Sequence, residues 1–270
     1  MPELPEMETY RKNLLSLVAT RKIKDVIVNR HKSVNVDPGI FIQSTKDKTI
    51  KTVYRRGKHL LFLLDSEQIL LLHLMLGGWL FYGARDDEKI NTAQIVFSFG
   101  DNLLYFNDLR LGYLHLYDLQ GLEAELGDLG PEPFDPAFTE KEFRAILQKK
   151  GKSVLKTVLV DQHFLAGIGN CYSDEIVFAA GILPTRKISS LLSIEMTKLY
   201  HSMKRVLEEA TEYGGYMEHP LFEGDTVTGG MNEHCQVYDR GGEPCYRCGT
   251  PITKETLNSR KVFYCEGCQV

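Results

Sequence analysis

The first apolar periodicity along the chain is helical. After the opening MPELP, Tyr10, Leu14, Leu17 and Val18 recur at helical spacing, which predicts an amphipathic helix beginning near Pro5, since proline is tolerated in a first turn. Residue 2 then stands beside its N-terminus. From Lys22 to about Asp118 the pattern changes to short β-branched and aromatic runs: IKDVIV, TIKTVY, HLLFLL, QILLLHL, AQIVFSF, NLLYF and YLHLY. Runs of this kind, separated by turn residues, predict an all-β module, a sandwich. The stretch GDLGPEPFDP marks a boundary. Beyond it TEKEFRAILQKK, SVLKTVLVDQ, NCYSDEIVFAAG and ISSLLSIEMTKLYHSMKRVLEEATEY predict successive helices. Residues 214–235 carry glycines and a proline without sustained periodicity, which predicts a mobile loop before a terminal cysteine-rich module. The expected division is 1–130, 131–235 and 236–270.

At 270 residues, 43% hydrophobic and 25% charged, the chain is long enough to bury a core in two or three domains. No window approaches the roughly 20 apolar residues of a membrane span, and MPELPEMETYR is too acidic and proline-rich for a secretory signal. The expected setting is therefore cytoplasmic, away from membranes. A net charge of -4 weighs against a nucleic-acid partner. Its distribution weighs the other way: acidic residues gather between Asp118 and Glu142, leaving three basic islands. These are Arg55, Arg56 and Lys58; then Lys149, Lys150, Lys152 and Lys156; then Arg240, Arg247, Lys254, Arg260 and Lys261. Such islands can converge on one phosphate backbone.

Four of the six cysteines lie in the last 26 residues as Cys245-x2-Cys248 and, after sixteen residues, Cys265-x2-Cys268. Two paired-thiolate knuckles at this spacing complete a tetrahedral shell for one zinc ion per chain. A closed four-cysteine shell leaves no position for water, so the zinc is structural. It would fix the angle of the intervening hairpin, TPITKETLNSRKVFY, near whose tip Arg260 can offer a bidentate guanidinium to a phosphate. An exposed surface arginine is the plainer alternative.

Met1-Pro2 permits removal of the initiator methionine, which would leave a free secondary amine. An α-amine is about 10% neutral at pH 7, against roughly 0.04% for an unperturbed lysine. Attack of a secondary amine on a sugar carbon gives a charged iminium, an electron sink that drives elimination. Glu3 could act as the proton donor, with Glu6 orienting it. Pro2 as helix punctuation and the glutamates as helix-dipole partners remain the competing readings. Lys58 lies in RRGKHL after a strand, His73 in LLHLMLGG, and Asn170 in AGIGNCYSDE, where glycines lead into a helix N-terminus suited to phosphate.

From PELPEMET through RRGKHL and DQHFLAGIGNCYSDEI to VYDRGGEPCYRCGTPI and FYCEGCQ, the chain resembles the formamidopyrimidine-DNA glycosylase/endonuclease VIII family along its whole length. The resemblance implies an N-terminal β-sandwich with a leading helix, a helical domain with a helix-two-turn-helix, and a C-terminal zinc finger. It also implies base-excision repair: release of an oxidised or ring-opened base, then abasic-site cleavage through a proline Schiff base. The partner is damaged double-stranded DNA, bound by a monomer working on the nucleoid. In that scheme Pro2 is the nucleophile and Glu3 the acid, while Lys58, His73, Asn170 and Arg260 grip phosphates; Lys58 and Arg260 also assist elimination. Lys152 and Lys156 add phosphate contacts, and Leu76 and Arg110 are placed to fill the void left by the flipped base. Departures stand at those same wedge positions. Leu76 replaces a methionine, Leu111 a phenylalanine, and Gly77 stands where an endonuclease VIII would have an aromatic. With no evident match in Gly214–Gly230 to a lesion-capping loop, the alternative is a relative that binds lesions or abasic DNA with lyase-only or no catalytic activity. A zinc-ribbon nucleic-acid adaptor with a purely structural N-terminus is the third.

Overall fold

The computed structural model describes residues 1–270, which divide into two compact units: Met1–Asp128 with Thr211–Gly230, and Leu129–Ala210 with Met231–Val270. The first opens with α1 (Leu4–Leu17), begun at the β-conformation Glu3, whose N–H is accepted by the Glu6 carboxylate at 2.7 Å. Pro5 sits in the first turn as expected. Eight strands follow: β1 (Asp25–Val28), β2 (Ile50–Arg56), β3 (His59–Leu64), β4 (Ile69–His73), β5 (Trp79–Ala84), β6 (Ile95–Ser98), β7 (Asn102–Asn107) and β8 (Tyr113–Tyr117). They form two antiparallel four-stranded sheets, β1-β6-β7-β5 and β2-β3-β4-β8. Val26, Leu80, Phe97 and Leu104 from one sheet and Val53, Leu60, Phe62 and Leu72 from the other meet in one core with Met7, Tyr10 and Leu14 of α1. Alternating apolar positions along each strand produce that layer. The seven runs read from sequence omit β5, WLFYGA, and the short helices α2 (Pro38–Thr45), α3 (Asp87–Thr92) and α4 (Leu119–Leu126). Each of these helices starts on an aspartate, Asp37, Asp86 or Asp118, whose side chain caps backbone N–H groups.

Of residues 214–235, expected to be a mobile loop, 214–230 are tied into this unit. Met217 and Leu221 lie in the sandwich core. Tyr82 N–H donates to the Leu221 carbonyl at 2.6 Å, and His219 stacks on Trp79 with ring centroids 4.3 Å apart. Asp225 gathers the turn by accepting from Leu221 N–H, Val227 N–H, Thr228 N–H and the Thr228 hydroxyl. Buried anchors a few residues apart in an aperiodic segment carry no helix or strand signature, which is why the pattern suggests a free loop.

The second unit contains α5 (Glu140–Gln148), α6 (Leu155–Leu159), α7 (Asn170–Ala180), α8 (Ser193–Glu212, whose last two residues belong to the first unit) and a hairpin of β9 (Thr253–Leu257) with β10 (Arg260–Tyr264). No helix of the chain is long and apolar enough to cross a membrane.

Candidate active site and zinc centre

In the first unit, Pro2, Glu3 and Glu6 are all buried at the head of α1. Glu6 holds two backbone groups at once: Glu3 N–H at 2.7 Å and Tyr216 N–H at 3.0 Å. Tyr216 completes the cluster. Its hydroxyl donates to the Met1 carbonyl at 2.6 Å and lies 3.3 Å from Glu3 Oε1. Gly214 and Gly215 lead into it with φ of +74° and +71°, and a Cβ at Gly215 would overlap the Glu6 carboxylate. Gly215 is therefore what lets this segment approach α1, while Gly214 leaves room for the Val227 backbone.

Lys58 occupies a tight turn between β2 and β3, where Arg56 faces His59 across the register and Gly57 takes φ +56°. Arg55 braces the turn, donating to the Gly57 carbonyl at 3.1 Å and to Glu8 Oε2 at 3.1 Å. Burial pushes the Glu8 carboxyl up, but Arg11 and Arg55 outweigh it and hold it below the usual carboxylate range. His73 ends β4 beside His59, with ring centroids 4.4 Å apart. Burial, then the neighbouring His59 and Lys58, lower its imidazole to about 3, so it is neutral near pH 7 and can offer a hydrogen bond but no charge. Leu76 and Leu111 are each 62% exposed on adjacent loops, and the Arg110 side chain is exposed beside Asp108. Gly112 allows this closeness, since a Cβ there would meet the His73 and Leu74 carbonyls. Leu111 is thus presented as openly as Leu76.

In the second unit Asn170 opens α7 after the extended Gly169, with its Oδ1 buried and lacking a hydrogen-bond partner. Lys152 is exposed on the turn before α6. Lys156 is not a surface cation, contrary to the sequence expectation. It is 2% exposed, and its Nζ donates to Asp174 Oδ1 at 2.6 Å, Ser173 Oγ at 3.1 Å and the Asn170 carbonyl at 3.1 Å. The reason is its position on α6, whose inward face packs on α7, where Asp174 requires a partner. Burial pushes the Asp174 carboxyl up to about 7 against the pull of Lys156. Lys156 therefore fixes the first turn of α7, and with it Asn170. Arg55 and Arg240 are likewise internal, Arg240 donating to the Gln236 and Pro244 carbonyls and to Glu243. The basic islands are smaller on the surface than in the sequence.

Cys245, Cys248, Cys265 and Cys268 bring their Sγ atoms within 4.8 Å of one another. The Cys245–Cys268 separation is 3.8 Å and Cys248–Cys265 is 3.4 Å. A tetrahedron with Zn–S bonds of about 2.3 Å has edges of about 3.8 Å, so the four thiols fit a structural zinc. The hairpin they frame turns at Asn258 and Ser259, both left-handed at φ +49° and +64°, as a two-residue turn requires. Asn258 Nδ2 donates to Thr157 Oγ1 of α6 at 3.1 Å, and Arg260 follows the turn with an exposed side chain. Behind it, Phe263 N–H donates to Asp174 Oδ2 at 3.1 Å, so one buried carboxylate serves both Lys156 and the hairpin.

A β-sandwich led by a buried Pro2-Glu3, a helical module and a four-cysteine hairpin together define a class of DNA-repair enzyme, the base-excision glycosylases with abasic-site lyase activity. Residues 1–114 match the formamidopyrimidine-DNA glycosylase N-terminal domain, 129–219 its H2TH domain, and 242–270 the zinc finger found in FPG and IleRS. The chain belongs to the formamidopyrimidine-DNA glycosylase family. It is 38% identical to the formamidopyrimidine-DNA glycosylase of Shouchella clausii over 275 residues, covering 100% of this chain and 99% of the relative. It is 37% identical to that of Geobacillus kaustophilus over 278 residues, covering 100% of both. Among solved structures, the Lactococcus lactis Fpg in complex with abasic-site DNA superimposes with a TM-score of 0.89 at 31% identity, covering 99% of each chain. A mutant of the same Lactococcus lactis protein in complex with Fapy-dG-containing DNA gives the same values.

Proposed function

We propose that this chain releases a ring-opened or oxidised base from duplex DNA and then cleaves the abasic site, using the amine that removal of Met1 leaves on Pro2. The observation that carries the reading is the buried Pro2-Glu3 pair at the head of α1, held by Glu6. A base inside the duplex is out of reach of this amine, so the damaged nucleotide is flipped out first. The Pro2 nitrogen then attacks C1′; the C1′–base bond breaks with its electron pair leaving on the base, and Glu3 donates a proton as the sugar ring opens. The iminium makes the C2′ proton acidic. Its loss expels the 3′ phosphate, and water releases the sugar from the proline.

Lys58, His73, Lys152, Asn170 and Arg260 are assigned to phosphates, Lys58 and Arg260 also to the elimination step, and Leu76, Arg110 and the equally exposed Leu111 to the vacated base position. Lys156 is assigned an indirect role, through Asn170. The relatives' names and the Fapy-dG and abasic-site complexes of the Lactococcus protein favour ring-opened purines as the substrate. Such a substrate sets the work in the bacterial cytoplasm, on the nucleoid, with the protein acting as a monomer. Borohydride trapping on an abasic duplex, using protein whose intact mass confirms loss of Met1, tests the reading. A covalent adduct that disappears in Pro2→Gly supports it. No adduct from the processed wild type with any lesion or abasic site overturns it and leaves lesion binding without catalysis.

A further inference from the structure

We infer that Tyr216 is a positioning residue of the active site, its hydroxyl setting the Glu3 carboxyl against the Pro2 amine. The inference rests on the proline-lyase reading above. Three observations carry it. The Tyr216 hydroxyl lies 3.3 Å from Glu3 Oε1. It also donates at 2.6 Å to the Met1 carbonyl, whose carbon is bonded to the Pro2 nitrogen. When Met1 is removed that acceptor goes with it, and the hydroxyl is left facing the newly formed amine and the carboxyl beside it. Finally, the Tyr216 backbone is fixed independently of its side chain: its N–H donates to Glu6 Oε1 at 3.0 Å, and Gly215 before it cannot be replaced without meeting Glu6. The phenol therefore reaches the site from a clamped base, on a segment anchored in the core by Met217 and Leu221.

The chemistry suits a phenol. A hydroxyl both donates and accepts, so one group can donate to the carboxylate and accept from the protonated amine, keeping the two from pairing directly. A direct Glu3–Pro2 ion pair would hold the amine in its protonated, non-nucleophilic form. With the hydroxyl between them, the amine gives up its proton to solvent before it attacks, and the Glu3 carboxyl, taking up a proton of its own, is held toward the sugar oxygen that it must protonate. Tyr216 acts through Glu3 and Pro2, and no bond to it forms or breaks.

The test compares processed wild type, Tyr216→Phe, Tyr216→Leu, Glu3→Gln and Tyr216→Phe/Glu3→Gln. Single-turnover base release is measured on a ring-opened-purine duplex, borohydride trapping on a preformed abasic duplex, and affinity for a tetrahydrofuran-containing duplex. Loss of one hydrogen bond to a charged group predicts that Tyr216→Phe slows base release about tenfold or more. Affinity and melting temperature should stay unchanged, Tyr216→Leu should be no slower than Tyr216→Phe, and the double variant should match Glu3→Gln alone. A Tyr216→Phe rate equal to wild type, with only Tyr216→Leu impaired, assigns the ring to packing and overturns the inference while leaving the proline lyase standing. Independent, multiplying losses in the double variant overturn it too. Absence of trapping by the processed wild type removes the parent reading and this one together.

Discussion

The Glu6 carboxylate accepts the backbone N–H of Tyr216 at 3.0 Å across a sequence separation of 210 residues. The same carboxylate caps Glu3 at 2.7 Å, so the segment after α8 and the head of α1 share one anchor. Gly215 makes this possible, because its φ of +71° and lack of a Cβ leave room for Glu6. Gly215→Ala forces both strain and overlap, with an expected stability loss of about 1–3 kcal/mol. Chemical denaturation should register that loss, and base release should fall with it; a variant as stable and active as wild type would show that the anchor is dispensable.

His73 supplies a pH prediction. Its folded-state value of about 3 lies below the ordinary 6.5, because burial and then the neighbouring His59 and Lys58 disfavour the charged ring. The folded form thus binds fewer protons than the unfolded one between these values. The stability contribution is complete above about pH 6.5 and is lost progressively as pH falls toward 3. At pH 5 the difference is about 2 kcal/mol. Urea melts at pH 7 and pH 5 should show His73→Gln closing most of that gap.

Lys156 and Lys152 should separate cleanly. Lys156→Met strands the Asp174 carboxyl in a buried site, with an expected loss of about 3 kcal/mol, partly recovered in Lys156→Met/Asp174→Asn. Lys152→Ala should leave stability unchanged and reduce the slope of log Kd against log salt by about 0.9 if it neutralises one phosphate. Denaturation curves and salt-titrated binding to abasic-analogue DNA distinguish a buried brace from a surface contact.

Stripping the zinc with a thiol-reactive mercurial and a chelator should release one metal ion per chain. With the four thiolates unlinked, the β9–β10 hairpin loses the frame that presents Arg260. Affinity for abasic-analogue DNA is expected to fall by about tenfold or more, the cost of one lost charge-assisted phosphate contact, while the near-ultraviolet signal of Trp79 in the β-sandwich persists. Full affinity in metal-free protein would show that the hairpin holds its angle without zinc.

The sequence by itself determined the order of the modules, because each rests on local pattern. Periodicity placed α1, most of the sandwich strands and the four long helical runs, and the CxxC spacing placed the metal site. Pro2, Glu3, Lys58, His73 and Asn170 could be singled out as candidates because they sit in compact motifs. The tertiary structure decided what depends on partners distant in the chain. Lys156 reads as a surface cation until Asp174 faces it, Arg55 until Glu8 does, and residues 214–230 read as a free loop until Met217 and Leu221 enter a core. Tyr216 carries no sequence signal, since its role depends on a meeting with Glu3 that only the folded backbone arranges. Local pattern fixes which elements form; burial and long-range pairing, which desolvate some charges and expose others, decide which side chains remain available for chemistry.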